Sequence, residues 1–299
     1  MKEYVVAIDL MGGDSSPSLI YESALIGVSG YDHVKLQFLT TKAYEPPVSS
    51  PHTILVCPDY ITSLDHPLKS IRAKKKSTLC TGIDLLFAKK IDAFLSLGNT
   101  GAILAKAVTT LPCIDDYDRP ALLTEIPIRD KMVAVLDVGA STQARASHLV
   151  QFAFLGASYM QKSYAIAKPK IALLNIGVEP EKGTGELKLA FDMLSQLRDP
   201  PFEFVGNVEP NIFFNTDIDV LVTSGFAGNI FLKTIEGTAS FVLDLVAQLE
   251  EPSLRLSPKL RQALYARPSF GGIVVGIEKL LIKCHGGATK EMIVQALRS

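Results

Sequence analysis

The chain has no excess of either charge, since 30 Lys and Arg stand against 31 Asp and Glu. It therefore lacks the basic field of a dedicated nucleic-acid binder, and no nucleic-acid partner is expected. Cysteine is scarce as well. Cys57, Cys80, Cys113 and Cys284 are scattered, with no C-x-x-C pair and no paired histidine spacing, which argues against a zinc site or a disulfide framework. They read as reduced, mostly buried thiols, and no metal is assigned. Long apolar runs are missing too. Asp9 ends the first apolar run too early for a secretory signal, Asp244 interrupts 239–249, and Glu278 with Lys279 interrupts 273–282. No stretch approaches the roughly 20 apolar residues a spanning helix needs, and the expectation is a cytoplasmic protein.

What the sequence does have is glycine placed where strands end. Asp92 to Lys106 reads D-A-F-L-S-L-G-N-T-G-A-I-L-A-K, an apolar strand closing in Gly98-Asn99-Thr100-Gly101 with a small-residue helix pattern directly after it. In open α/β sheets ligands bind at such places. Glycines bring backbone N–H groups close to a ligand, and the following helix turns its unpaired N–H groups and positive dipole end toward the same space, which favours an anion such as phosphate. A tight turn with an Asn-Thr cap reads the same letters equally well. Leu221 to Asn229 repeats the pattern, with a helix expected from near Ile230, and Asp137-Val-Gly-Ala140 is a third such strand end. The first two turns could converge on one crevice, although their flanks do not align as a repeat.

Taken in order, Tyr4 to Ile8 predicts a buried strand, with a helix started by Ser15, Ser16 and Pro17 and stopped by Gly30. Strands follow around Val34 to Phe38, Thr53 to Cys57, Met132 to Val138, Lys170 to Ile176, Phe202 to Val205 and Val220 to Thr223, with helices from Leu79 and over Ser147 to Tyr164. Phe231 to Leu249 reads as a helix, Glu250 to Pro252 breaks it, and Lys259 to Tyr265 is helical again, a helical arm at about 231–268. Strands over Gly271 to Ile277 and Leu280 to Cys284 precede a last helix over Thr289 to Leu297. This alternation predicts an α/β fold with a largely parallel sheet and helices on both faces. At 299 residues it fits a single domain carrying the arm, or two closely joined lobes.

The candidate site residues come from these turns. Asn99, Thr100, Asn207, Gly228 and Asn229, beside Gly98 and Gly101, are candidates for holding phosphate or an oxyanion, and each is equally at home as a turn or cap residue. Lys182, in the loop after the 170–176 strand, either neutralises phosphate charge or is a solvated lysine. His285, in the Gly turn after the last strand, either protonates a departing group or orients phosphate, or else hydrogen-bonds its own loop. Asp9 and Asp14 flank Gly12 and Gly13. They could hold Mg²⁺ or orient a base, or Asp14 could cap the first helix while Asp9 anchors the turn. The other histidines, His33, His52, His66 and His148, carry no assigned chemistry.

Together, Ile8-Asp-Leu-Met-Gly-Gly-Asp14, Ser96-Leu-Gly-Asn-Thr-Gly101, Arg119-Pro-Ala121, Leu136-Asp-Val-Gly139, Leu174-Asn-Ile-Gly177, Phe204-Val-Gly-Asn-Val-Glu209, Phe226-Ala-Gly-Asn229, Lys233-Thr-Ile-Glu-Gly237 and Ile282-Lys-Cys-His285 resemble the bacterial acyl-acyl-carrier-protein:phosphate acyltransferases nearly end to end. The chain departs from that family's usual pattern at Leu10, Lys76, Ser141, Val178 and Ser224. The resemblance implies an acyltransferase of phospholipid synthesis that moves a long fatty acyl group from acyl carrier protein to inorganic phosphate without a cofactor. It implies a fold similar to the isocitrate and isopropylmalate dehydrogenases, a homodimer, peripheral membrane contact and a downstream glycerol-3-phosphate acyltransferase. On this reading the catalytic candidates are His285, Lys182 and Asn229; substrate binding falls to Asp9, Gly12, Gly13, Asp14, Gly98, Asn99, Thr100, Gly101, Asn207 and Gly228. The carrier is acidic, so its dock should be basic: Arg72, Lys74, Lys75 and Lys76 form one cluster, and Arg255, Lys259 and Arg261, beside Leu254 and Leu256, form another suited to carrier or bilayer. Two alternatives stand beside it. A nicotinamide-dependent decarboxylating dehydrogenase of related fold would need an arginine-rich carboxylate site and late paired aspartates, which the sequence lacks; a non-catalytic carrier-protein adaptor would show no phosphate-dependent turnover.

Overall fold

The computed structural model describes residues 2–47, 50–114, 117–248 and 271–298. The chain divides into two compact units, one formed by residues 1–120 with 270–299 and the other by 121–269.

In the first unit β1 (Tyr4–Asp9), β2 (Val34–Thr40), β3 (Thr53–Val56) and β4 (Ala93–Ser96) alternate with α1 (Pro17–Gly27), α2 (Pro67–Ala73), α3 (Thr78–Phe87) and α4 (Thr100–Thr110). The strand order is β3-β2-β1-β4, and all three of these neighbour pairs are parallel. The returning chain adds β11 (Leu280–Cys284) parallel to β4 and β10 (Gly271–Val275) antiparallel to β11, then α8 (Lys290–Arg298). Ile8, Phe38, Leu95 and Ile293 are fully buried in one cluster between strands and helices, each contributing roughly 1.5–3 kcal/mol by leaving water. Helix α1 starts as its sequence suggests, with the Ser16 side chain accepting from Leu19 N and Pro17 in the first turn. It ends at Gly27, before Gly30. Gly27 lies against Leu297 of α8, where a Cβ would approach the Leu297 Cδ1 to 2.8 Å, and Gly30 takes the left-handed turn that follows, at φ 90°.

In the second unit β5 (Ala121–Ile128) and β6 (Lys131–Leu136) form an antiparallel hairpin, followed by α5 (Ala146–Tyr164), β7 (Lys170–Leu174), α6 (Gly185–Ser195), β8 (Glu203–Val208), β9 (Val220–Val222) and α7 (Gly225–Gln248). The order β5-β6-β9-β7-β8 makes the remaining pairs parallel. The expected mostly parallel α/β sheet with helices is therefore what forms. The short α2 and the helix α6 were not legible. Only Ser70 of α2 and only Ala190 and Leu194 of α6 are buried, so neither offers a full apolar stripe.

Helix α7 corrects one expectation. It begins at Gly225, so Gly225 to Asn229 is its first turn and not a separate turn before Ile230. Ser224 starts it, accepting from Ala227 N through its hydroxyl and from Gly228 N through its carbonyl. Of the helical arm, the structure describes α7 to Gln248; the break at 250–252, the 259–265 helix and the cluster of Arg255, Lys259, Arg261, Leu254 and Leu256 lie outside the described residues. No helix among the described residues is long and apolar enough to cross a membrane. All four cysteines are free thiols; three are buried and Cys113 is half-buried.

Candidate functional site

In the first unit the strand register sets the site. Asp9 of β1 and Lys283 of β11 both pair with Ser96 of β4, so the loops leaving these three parallel strands emerge side by side. Asp9 is fully buried. Its Oδ1 accepts from Met11 N at 3.1 Å and its Oδ2 from the Ser96 hydroxyl at 2.8 Å. Burial raises the Asp9 carboxyl above its usual range, and these hydrogen bonds oppose that rise. Gly12 is pressed between this carboxylate and Gly98, where a Cβ would lie 2.8 Å from Asp9 Oδ2 and 2.9 Å from Gly98 Cα. Gly13 sits against Leu97 and the Gly286 carbonyl, and that carbonyl accepts from the amides of Asp14 and Ser15. The structure thus brings Asp9, Gly12, Gly13, Asp14, Gly98 and the His285-Gly286 turn together.

Asp14 does not cap α1, because Ser16 does; its carboxylate accepts instead from the Ser63 hydroxyl at 3.0 Å. Asp9 does anchor its turn, through Met11 N. Asn99 is the N-cap of α4. Its Oδ1 accepts from Ala102 N at 3.1 Å, while its Nδ2 donates to the carbonyls of Ser63 and Asp65 at 3.3 and 3.0 Å. Both amide hydrogens are thereby spent on backbone, which leaves the N–H groups of Thr100 and Gly101 as the first-turn donors that nothing among the described residues takes up. Asn99→Ala should lose both cap and brace and cost about 1–2 kcal/mol. A urea midpoint equal to that of the parent protein would remove the cap from this account.

The second unit builds a matching strand end. Asp137, just after β6, is fully buried; its Oδ1 accepts from the amides of Leu122, Gly139 and Ala140, and its Oδ2 accepts from the Ser141 hydroxyl at 2.7 Å. Burial again raises the carboxyl against the pull of these bonds. The Ser141 oxygen accepts from Gly225 N at 3.2 Å, the first amide of α7. Gly228 faces the Asp137 backbone, and Asn229 donates its Nδ2 to Val138 O at 3.1 Å. Asn229 is exposed and keeps its second amide hydrogen.

Lys182 and Asn207 meet at the loop after β7 of this unit. Asn175 donates to Lys182 O at 3.1 Å, and Asn207 donates to Glu179 O at 2.9 Å, so the two buried asparagines clamp the 176–183 loop from beneath. Gly183 is left-handed at φ 85°, with the Asn175 side chain where a Cβ would go. The Lys182 side chain is exposed and runs over Gly177. In the sequence Ser96 and Ser141 have no assigned role in these strand ends, and Asp137 and Asn175 stand there only as members of their glycine turns. The Asp137-Val-Gly and Asn175-Ile-Gly signals were visible, but Ser96 and Ser141 join partners 87 and 84 residues away.

A strand-end set of glycines and helix-start amides, on a mostly parallel α/β scaffold, is an arrangement suited to a small anion. The same scaffold is found in solved acyl-group transferases. A phosphotransacetylase from Staphylococcus aureus superposes with a TM-score of 0.62 at 14% identity, covering 99% of this chain and 93% of that one. A branched-chain phosphotransacylase from Enterococcus faecalis gives 0.60 at 15% identity, covering 99% and 97%. At these identities the likeness concerns the fold alone. In sequence, the family model described as Fatty acid synthesis protein matches residues 4–299. A phosphate acyltransferase from an Exiguobacterium species is 38% identical over 311 aligned positions, covering 98% of this chain and 93% of the relative. One from Chlamydia felis is 35% identical, covering 95% and 90%. The chain belongs to the Fatty acid synthesis protein family.

Proposed function

We propose that this protein is a phosphate acyltransferase of fatty acid and phospholipid synthesis, which moves a long-chain fatty acyl group from acyl carrier protein to inorganic phosphate. The observation that carries the reading is its near full-length relationship to proteins named phosphate acyltransferases. The geometry supports it. Phosphate near neutrality is already an oxygen nucleophile, so the protein mainly has to hold it in line and stabilise the oxyanion. Each unit by itself offers donors for that purpose at a helix start, the Thr100 and Gly101 amides of α4 in the first and the Phe226 amide of α7, with Lys182 as a cation, in the second. A phosphate oxygen attacks the thioester carbonyl carbon, the tetrahedral oxyanion collapses, the C–S bond breaks, and the carrier thiolate takes a proton, for which His285 is the candidate donor. Acyl-phosphate and free carrier thiol result, and no cofactor enters the balance. Exposed Phe226 and Ile230 on α7, with Ile176 and Val178 on the neighbouring strand-end loop, supply apolar surface suited to an acyl chain.

The test is to incubate the protein with phosphate and long-chain acyl carrier protein, and to read free carrier thiol together with hydroxylamine-trapped acyl-phosphate. Turnover without added nucleotide that rises with phosphate supports the reading. Thiol release indifferent to phosphate ends it, and no turnover at all favours the adaptor. A homodimer of single acyltransferase domains, peripheral membrane contact through the arm and hand-over to a glycerol-3-phosphate acyltransferase belong to the same proposal.

Carrier docking is proposed at the basic run after α2, with one revision. Lys74 donates to Tyr60 O and to Asp65 Oδ2 at 3.0 and 2.9 Å, and this pairing raises its ammonium above the usual lysine range. It braces the 60–65 loop. Arg72, Lys75 and Lys76 are exposed. Reversing Lys75 and Lys76 together to Glu should raise KM for acyl carrier protein about tenfold at low salt, less at 0.15 M, and leave KM for phosphate unchanged. If carrier kinetics respond instead to reversal of Arg255 and Lys259, the dock moves to the arm.

A further inference from the structure

The two strand ends share an arrangement of atoms that their sequences do not share. In the first unit the Ser96 hydroxyl donates to the buried Asp9 carboxylate at 2.8 Å, and its oxygen accepts from Gly98 N at 3.0 Å. In the second the Ser141 hydroxyl donates to the buried Asp137 carboxylate at 2.7 Å, and its oxygen accepts from Gly225 N at 3.2 Å. The order carboxylate, hydroxyl, glycine amide is the same, although the serine precedes its glycine by two residues in one case and lies four residues after its aspartate in the other. A serine hydroxyl has one hydrogen to give. Once a buried carboxylate takes it, the oxygen is left as a fixed acceptor, and the glycine amide it receives is fixed as well. In both units that amide opens the connection into a helix, α4 or α7. The N–H groups that nothing among the described residues takes up come next, Thr100 and Gly101 in one unit and Phe226 in the other.

We propose that Ser96 and Ser141 are positioning residues for phosphate: each, within its own unit, pins the glycine amide at the head of a helix to a buried aspartate, and so aims the open amides that follow it at an anion. Neither serine touches the substrate. Both hydroxyls are buried, with Ser96 fully inaccessible and Ser141 4% exposed, and the effect passes through the backbone. Preorganisation of this kind governs how tightly a site holds its ligand, because the donors need no reordering when the ligand arrives. The inference rests on the proposed transfer to phosphate.

The experiment compares Ser96→Ala and Ser141→Ala with the parent protein, varying phosphate at saturating acyl donor. The expected result is a rise of about tenfold in KM for phosphate, the scale of one well-placed hydrogen bond, with kcat within about threefold. Ser96→Thr and Ser141→Thr keep the hydroxyl and should restore KM to within about threefold. Thr109→Val and Thr216→Val remove hydroxyls bonded to Ala105 O and Phe213 O, away from both helix starts, and should leave KM unchanged. Hydrogen exchange gives a readout independent of turnover: the Gly98 and Gly225 amides should exchange at least about tenfold faster in the Ala proteins. Where an Ala protein fails to fold, Ser→Cys, close in shape and weak in hydrogen bonding, takes its place. Unchanged KM and unchanged exchange would overturn the inference, as would Thr proteins as impaired as the Ala ones or an equal shift in the two Val controls. A parent protein with no phosphate-dependent transfer would end the functional reading instead, and the exchange rates would still judge the relays.

Discussion

His285→Ala should lower kcat by about two orders of magnitude and leave the thermal midpoint nearly where it was. The magnitude is that of a lost general acid. The retained stability follows from how the turn is held. Gly286 O accepts from Asp14 N and Ser15 N, at 2.8 and 3.1 Å, and His285 O accepts from Ala288 N at 3.1 Å. These are main-chain bonds that an alanine leaves intact. The position suits the role, since β11 runs parallel to β4 with Lys283 opposite Ser96, which sets His285 and Gly98 at equivalent steps beyond neighbouring strand ends. His285→Gln separates two ways of acting. Gln can hydrogen-bond but cannot pass a proton, so it should be as slow as Ala; recovery of the rate by Gln would make the imidazole an orienting group. Full activity of the Ala protein would return His285 to the structure of its loop.

Most of the scaffold was legible because its signals are local. Apolar strands, glycine at their ends and Ser-Ser-Pro before α1 act over a few residues, and the elements formed where those signals stood. The site was legible only as a set of places. Asn99 was read as a phosphate ligand or a cap, and its amide proves to be spent on Ala102, Ser63 and Asp65, of which two lie more than thirty residues away in sequence. The run Arg72 to Lys76 looks like one basic patch, yet Lys74 is withdrawn from it by Asp65. The two serine relays had no sequence signature, because each is closed by a bond across more than eighty residues. The start of α7 was misplaced for a different reason. Glycine twice in five residues reads as a turn by propensity, whereas here tertiary contact decides.

That contact makes the glycines of α7 a direct steric test. A Cβ on Gly228 would lie far inside van der Waals contact of the Asp137 carbonyl oxygen and 2.7 Å from Thr223 Cγ2; one on Gly225 would stand 2.6 Å from Asp137 Oδ2 and closer still to Ser141 O. Backbone oxygen cannot move aside as a flexible side chain can, so Gly228→Ala must push the first turn of α7 off the 137–141 loop. Overpacking of this kind costs about 3 kcal/mol or more, expected as a fall of at least about 6 °C in thermal midpoint for a unit of this size. Gly237 lies in the same helix with nothing within 4 Å of where its Cβ would be. There only helix propensity acts, and Gly237→Ala should stabilise by about 0.5–1 kcal/mol, raising the midpoint by about 1–3 °C. The pair therefore has opposite signs for one chemical change in one helix. KM for phosphate should follow only the first, because Gly228→Ala displaces the amides of Gly225 and Phe226 while Gly237 stands three turns further along. If Gly228→Ala proves as stable as its parent, the first turn of α7 is not pinned to Asp137, and the aim assigned to its amides is lost with it.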